Sequence, residues 1–327
     1  MKVIVTGIAG FIGYHVARAL LGSGHTVVGI DSLNAYYPVQ LKRDRLDQLA
    51  ASGPFEFHQL DVSDVVATAA LFAQHDDATH VVHLAAQAGV RYSVENPAAY
   101  VQANVMGQLS ILEACRKLSR LEHLVYASSS SVYGANTKVP FSIEDRVVSP
   151  VSVYAATKLA AEHLAETYGH LYGLPSTGLR YFTVYGPWGR PDMAPYKFTK
   201  QIAAGETIAV YNNGDMARDF TYIDDIVSGT LSALHKLPQQ NASGAPHRVY
   251  NLGNNRPTPL MEFIAVIEQA VGRKANMRYE PMQQGEVRET FADISASTRD
   301  LGFAPQTTID IGIPKFVEWF KAYHAIS

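Results

Sequence analysis

Three glycines at fixed spacing, Gly7, Gly10 and Gly13, stand between an apolar run at 3–6 and a helical pattern at 11–21. No other feature constrains the fold as much. A strand that turns tightly into a helix needs residues without a Cβ, and glycine also lets a phosphate approach the backbone. The helix start then offers unpaired N–H groups and the positive end of its dipole. Ordinary strand-to-helix turns carry such glycines too, so the rest of the chain decides their meaning.

Beyond the turn, strands and helices alternate. Apolar strand-like runs at 26–30, 55–60, 79–84, 123–128 and 176–180 are separated by helical patterns at 40–50, 65–73, 97–117 and 153–172. Continuous apolar strands separated by helices predict a parallel sheet buried on both faces. The expected fold class is therefore α/β, a Rossmann-type doubly wound parallel sheet. With 327 residues, 47% of them hydrophobic, the chain is large for one compact unit, and a smaller α/β substrate-binding domain is expected beside the first. After about Arg180 the alternation breaks, and 186–195, 212–214, 239–246 and 253–259 read as loops. The cofactor domain is expected at 1–180, with 215–252 returning to it. The substrate domain is expected at 181–214 and 253–305, and a C-terminal helix at 306–327.

Asp31 ends the second strand, 24 residues after Gly7. A carboxylate there can accept from both hydroxyls of an adenosine ribose and would repel a 2′-phosphate, which favours NAD over NADP. Phe11, Ile12 and Gly13 at the helix start, and Ala85 and Ala86 after the fourth strand, complete the expected cofactor contacts. Asp61 and Val62 follow the third strand, where the adenine edge would lie; Asp61 reads equally as a helix N-cap.

Tyr154 and Lys158 are four apart in a strong helical segment, which sets both on one face. Free tyrosine has a pKa of about 10, and a neighbouring ammonium would lower it. Tyr154 could then take a proton from a substrate hydroxyl. Among Ser128, Ser129, Ser130 and Ser131, at the end of the fifth strand, a hydroxyl can bond the same oxygen. Alone, the Tyr–Lys pair would read as a surface helix pair; after a dinucleotide turn and a serine-rich strand end it reads as a site.

The segments TGIAGFIG, LAAQAGV, YASSSSVYG, YAATK, RDFTYIDD and GEVRETFAD, with Asp31, resemble the extended short-chain dehydrogenases/reductases, in their nucleotide-sugar epimerase and dehydratase group. The resemblance runs from residue 3 to about 293. It implies Ser129 as the catalytic hydroxyl, Tyr154 as the base, and Lys158 as the lysine that binds the nicotinamide ribose. It also implies a homodimer formed through the helices at 97–117 and 153–172. Ser130 and Ser131 stand where the group's dehydratases carry an acidic pair, so dehydration is disfavoured.

The loop YFTVYGPWGRPDMAP is similar to that of UDP-glucuronate 4-epimerases, as are AAQAGVRYS and VYNNGDMARDFTYIDDI. The similarity implies that Thr183 and Arg190 hold a sugar carboxylate, which the planar fork of arginine suits. By residue type alone, Arg190 reads equally as a surface ion pair. The resemblance further implies Arg218 and Arg288 on the diphosphate and Tyr211 on uracil, with Ser130 beside the sugar. Arg91 faces either the diphosphate or the carboxylate. The expected activity is 4-epimerisation of a UDP-uronic acid with retained NAD. The alternatives are decarboxylation of UDP-glucuronate, epimerisation of UDP-glucose, and an NAD-binding regulator without turnover.

The net charge of −3 and the absence of a basic block give no footing for nucleic acid. No apolar run reaches the roughly 20 residues that span a bilayer, so a cytoplasmic protein is expected, with no membrane partner. Cys115, the single cysteine, reads as core. His83 reads as structural, and no metal site is expected, since no His/Cys cluster stands at ligand spacing.

Overall fold

The computed structural model describes residues 1–282 and 287–326. Six strands come first: β1 (Lys2–Thr6), β2 (Thr26–Asp31), β3 (Phe55–Gln59), β4 (His80–His83), β5 (His123–Ser129) and β6 (Ser176–Tyr181). They lie in the spatial order β6-β5-β4-β1-β2-β3, and each neighbouring pair is parallel. The chain winds outwards from β1 to β3 and restarts at β4 on the other side of β1. This reversal makes a doubly wound, Rossmann-like sheet, with a crevice at the strand ends where the order changes.

Val3, Val5, Val27, Val82 and Val125 enter one buried cluster, whereas Ile4, Val28, Val81 and Leu124 enter another. Alternate residues of a strand thus meet opposite helical layers, which is why the strands read as unbroken apolar runs. On one face α1 (Phe11–Gly22) packs with α2 (Val39–Ala50) and with the helix Ile223–Leu234. On the other lie α3 (Val65–Gln74), the helix Gly107–Cys115 and the long helix Val153–Tyr172. Cys115 is buried in this second layer.

The long helix begins and ends by local chemistry. Ser152 accepts from the Ala155 N–H at 3.1 Å as N-cap, and Gly173, left-handed at φ 67°, closes the other end. The helix expected at 97–117 is interrupted: Pro97–Tyr100 is α-helical, Val101–Met106 is a π-type turn, and Gly107–Cys115 resumes the α-helix. The wide turn sets Asn104 inwards, where its amide bonds Gln87 and Thr157. Asp61 is not the N-cap of α3. Asp64 caps it, accepting from Ala67 N–H, while Asp61 accepts from the N–H and hydroxyl of Ser63.

The second half contains β7 (Thr183–Tyr185), β8 (Thr207–Tyr211), β9 (Ala217–Tyr222), β10 (His247–Leu252), β11 (Pro257–Pro259), β12 (Asn276–Glu280) and β13 (Glu289–Thr290). β10 adds to the main sheet beside β6. β7, β11 and β13 pair with β9, and β8 pairs with β12. The 186–195 stretch is not loop throughout, because a helix, Ala194–Ala204, starts inside it with Pro195 in its first turn. The first two residues of the GEVRETFAD segment, 285 and 286, lie outside the described residues. Among the described residues no helix is long and apolar enough to cross a membrane.

Candidate active site

The strand ends at the switch point open into a cavity of about 1110 Å³ that continues between the main sheet and the second-half elements. Its floor is the glycine turn. Gly7 sits at φ +70°, and a Cβ on it would come within 2.6 Å of the Ala85 backbone nitrogen. A Cβ on Gly13 would lie 2.1 Å from the Gly7 carbonyl oxygen. Contact therefore requires glycine at both places, and at Gly7 the backbone conformation does so too. Gly10 caps α1 without a side-chain partner, so the first N–H groups of the helix face the cavity.

Asp31 is buried beside this turn. It accepts from Ala9 N–H at 3.1 Å and from Leu33 N–H at 2.8 Å, one bond per carboxylate oxygen. Each oxygen keeps acceptor capacity, and both are held in a fixed orientation. Burial pushes the Asp31 pKa up, against the pull of the Lys42 ammonium. Phe11, Ile12, Asp61, Val62, Ala85 and Ala86 line the same end of the cavity. The bare glycine turn, the open helix start and the oriented carboxylate fit a dinucleotide with free ribose hydroxyls.

In the middle of the cavity the end of β5 meets the long helix. The Ser129 hydroxyl lies beside the Tyr154 phenol and pulls its pKa down, whereas the Ser128 hydroxyl donates to Glu162 at 2.5 Å. All four serines line the cavity, and the Ser128 hydroxyl is taken up by Glu162. Burial raises the Tyr154 pKa; the Ser129 bond and the Arg190 charge pull it back. Lys158, one helical turn on, donates its ammonium to the Ala127 carbonyl at 3.0 Å, and burial brings its pKa down to about 8, with Glu162 opposing.

Arg190 reaches the same space. It is an ion pair, as residue type alone allowed, but within the cavity, its side chain only 21% exposed. Its Nε donates to Asp192 Oδ1 at 3.0 Å, a second nitrogen donates to Oδ2, and Tyr36 also donates to that carboxylate. Burial opposes the charge on Asp192, but Arg190 overrides it and keeps the carboxyl below its ordinary value. Thr183, which opens β7, lines the cavity beside Phe182 and Val184.

At the far end the Arg91 guanidinium lies over the Tyr211 ring, 5.0 Å from its centroid. Arg218 lines the cavity, donating to the carbonyls of Ala217 and Arg288. Arg288 itself is not among the lining residues; it makes an exposed two-bond pair with Asp215 at 3.0 Å.

Two braces were not legible in the sequence. Arg45, fully buried, donates to the carbonyls of Ala9 at 2.7 Å and Trp188 at 2.6 Å, tying the glycine turn to the Arg190 loop. Asp219 accepts from the N–H groups of Asn254, Asn255 and Ala292 and from the Thr221 hydroxyl, joining β9 to two distant segments. Burial lifts its pKa to about 6 despite those donors. Both lie in helical or strand patterns whose only sequence signal was a charge. His83 is buried and bonds the Thr6 hydroxyl at 2.6 Å, and Thr6 accepts from Ala85 N–H, so it supports the cavity floor.

Residues 3–253 match the model of the NAD dependent epimerase/dehydratase family. UDP-glucuronate 4-epimerase 4 of Arabidopsis thaliana is 48% identical over 335 residues, covering 99% of this chain and 76% of that protein. The fold superposes on UDP-glucuronic acid 4-epimerase from Bacillus cereus, solved with UDP-glucuronic acid and NAD, with a TM-score of 0.90 and 34% identity over 99% of this chain and 100% of that one. It is also similar to UDP-glucose 4-epimerase from Thermotoga maritima, solved with UDP-glucose, with a TM-score of 0.88 and 30% identity over 99% and 100% of the two chains. The fold alone therefore does not choose between a charged and a neutral sugar; the cavity residues must.

Proposed function

The chain belongs to the NAD dependent epimerase/dehydratase family, and we propose that it is an isomerase, a UDP-glucuronate 4-epimerase that interconverts UDP-glucuronate and UDP-galacturonate. The observation that carries the choice of sugar is Arg190. Its fork, inside the cavity and close enough for its charge to reach Tyr154, already grips a carboxylate, that of Asp192, with two nitrogens. A uronic acid would present a second carboxylate to the same guanidinium, as a neutral sugar would not.

In this reading the glycine turn, Asp31, Ala85 and Ala86 hold NAD, which when bound takes up hydride from C4 of the sugar and returns it. Tyr154, as the phenolate, accepts the 4-hydroxyl proton and gives it back on re-reduction. Ser129 and Ser130 orient the oxygen. Lys158, fixed by Ala127, lies one helical turn from Tyr154, and its positive charge favours the phenolate form of that base. Arg218, Tyr211 and Arg91 hold the UDP moiety at the far end while the 4-keto sugar turns. Arg288 would join them only by releasing Asp215. The oxidised uronic acid is a β-keto acid, prone to lose CO₂ when its carboxylate bond aligns with the carbonyl π system. Arg190 and Thr183 keep it out of that alignment.

Two sugars and one variant test this. Wild-type protein should turn over UDP-glucuronate in preference to UDP-glucose. Arg190→Ala should lower kcat/KM for UDP-glucuronate roughly 10- to 100-fold, the worth of a charge-assisted hydrogen bond, and release some UDP-pentose. Equal turnover of both sugars by wild type, with no effect of Arg190→Ala, would transfer the reading to a neutral-sugar epimerase. The protein is further read as a cytoplasmic homodimer, paired through the helices at 97–115 and 153–172; Val101, Leu171 and Tyr172 on them are exposed apolar side chains.

A further inference from the structure

No metal site was expected from the sequence, because its ligands are far apart in the chain. The fold brings three together at the edge of the main sheet, away from the cavity lining. Glu56 and His58 are two apart on β3 and share one face of this edge strand. His75 is the C-cap residue of α3. One ligand atom from each lies within 4.8 Å of the other two. His58 Nε2 stands 2.8 Å from Glu56 Oε1, and His75 Nε2 stands 3.8 Å from the same oxygen. The two imidazoles meet edge to face, with centroids 5.6 Å apart.

The second observation is the state of His75. The residue is 6% exposed, and its Nε2 is buried with no hydrogen-bond partner among the described residues. An unbonded ring nitrogen at such a site is costly, and this one is aimed at a carboxylate it does not reach. The nearby cation, Lys2, is engaged by Asp77 at 2.6 Å.

We propose that Glu56, His58 and His75 bind a divalent transition-metal ion of the zinc class. Two imidazoles and one carboxylate suit zinc and its neighbours rather than magnesium or calcium. Ligands at about 2.0–2.2 Å from an ion lie closer together than 4.8 Å, so the more exposed Glu56 and His58 must draw in towards His75. A water completes the four-coordinate set. The ion would tie β3 to the far end of α3 and so close the stretch 59–74, which carries the cavity residues Asp61 and Val62.

The test uses untagged, chelator-stripped full-length protein titrated with Co²⁺ and Zn²⁺, followed by absorption and calorimetry. One Co²⁺ per chain with visible bands of a tetrahedral site, displaced by Zn²⁺, is the expected result. His58→Gln, on the edge strand, should weaken binding roughly 100-fold or more, at least as much as loss of an outer-shell partner does. His75→Gln should abolish it. Wild-type protein that binds neither ion saturably would overturn the proposal. So would equal binding by wild type and His58→Gln, which would place the ion elsewhere, for instance at the Met1 amine and His25, 3.3 Å apart.

Discussion

At the residue scale, turnover depends on which hydroxyls and charges meet Tyr154. Ser129 and Arg190 both pull down the pKa of its phenol, while Lys158 is anchored to a backbone carbonyl. Tyr154→Phe removes the proton acceptor and little else. Turnover should fall about 10³-fold, within the range for a positioned acid–base group, with the thermal midpoint unchanged. Turnover retained in that variant would point to another base. The Tyr–Lys spacing was legible because four residues make one helical turn. Which of the four serines serves came only from the family resemblance; that Glu162, 34 positions from Ser128, captures the first hydroxyl leaves no local mark.

At the scale of elements, the glycine turn and one buried ion pair hold the site in shape. Gly13→Ala sets a methyl group 2.1 Å from the Gly7 carbonyl, a contact with backbone that no rotamer relieves. The variant should be isolated without NAD and with a lowered midpoint, checked by absorption and calorimetry. Beneath the catalytic helix, Arg180 grips Glu162 at 2.7 and 2.9 Å and donates to Tyr133, joining β5, β6 and the long helix. Glu162→Leu strands the Arg180 charge and should cost about 3–5 kcal/mol of stability by urea unfolding. Pairing it with Arg180→Met should recover most of that. The strands themselves were readable because both their faces are buried. The braces were not: Arg45 bonds a carbonyl 143 residues away, and such pairings leave no periodic mark.

At the scale of the whole molecule, four of the buried histidines, those whose pKa burial lowers furthest, tie stability to pH. Burial lowers His15 and His83 to about 3, and His123 and His247 to about 4. In the unfolded chain each would titrate near 6.5, so the unfolded state binds more protons below that value. The stability these groups confer is complete above about pH 6.5 and is lost as pH falls towards about 4. Asp219, raised to about 6, works the other way over part of that range, one group against four. The unfolding free energy from urea titration should drop between about pH 7 and pH 5 by on the order of a few kcal/mol; a flat profile would mean that the histidines are not held neutral. Oxidation and re-reduction at C4, with the hydride kept inside one site throughout, can be followed with UDP-glucuronate carrying deuterium at C4. The purified protein is given this substrate with no added cofactor, and the products are resolved by NMR. The expected product is UDP-galacturonate with deuterium still at C4. A UDP-pentose with release of CO₂, or a product whose C4 deuterium has been lost to water, would contradict this mechanism.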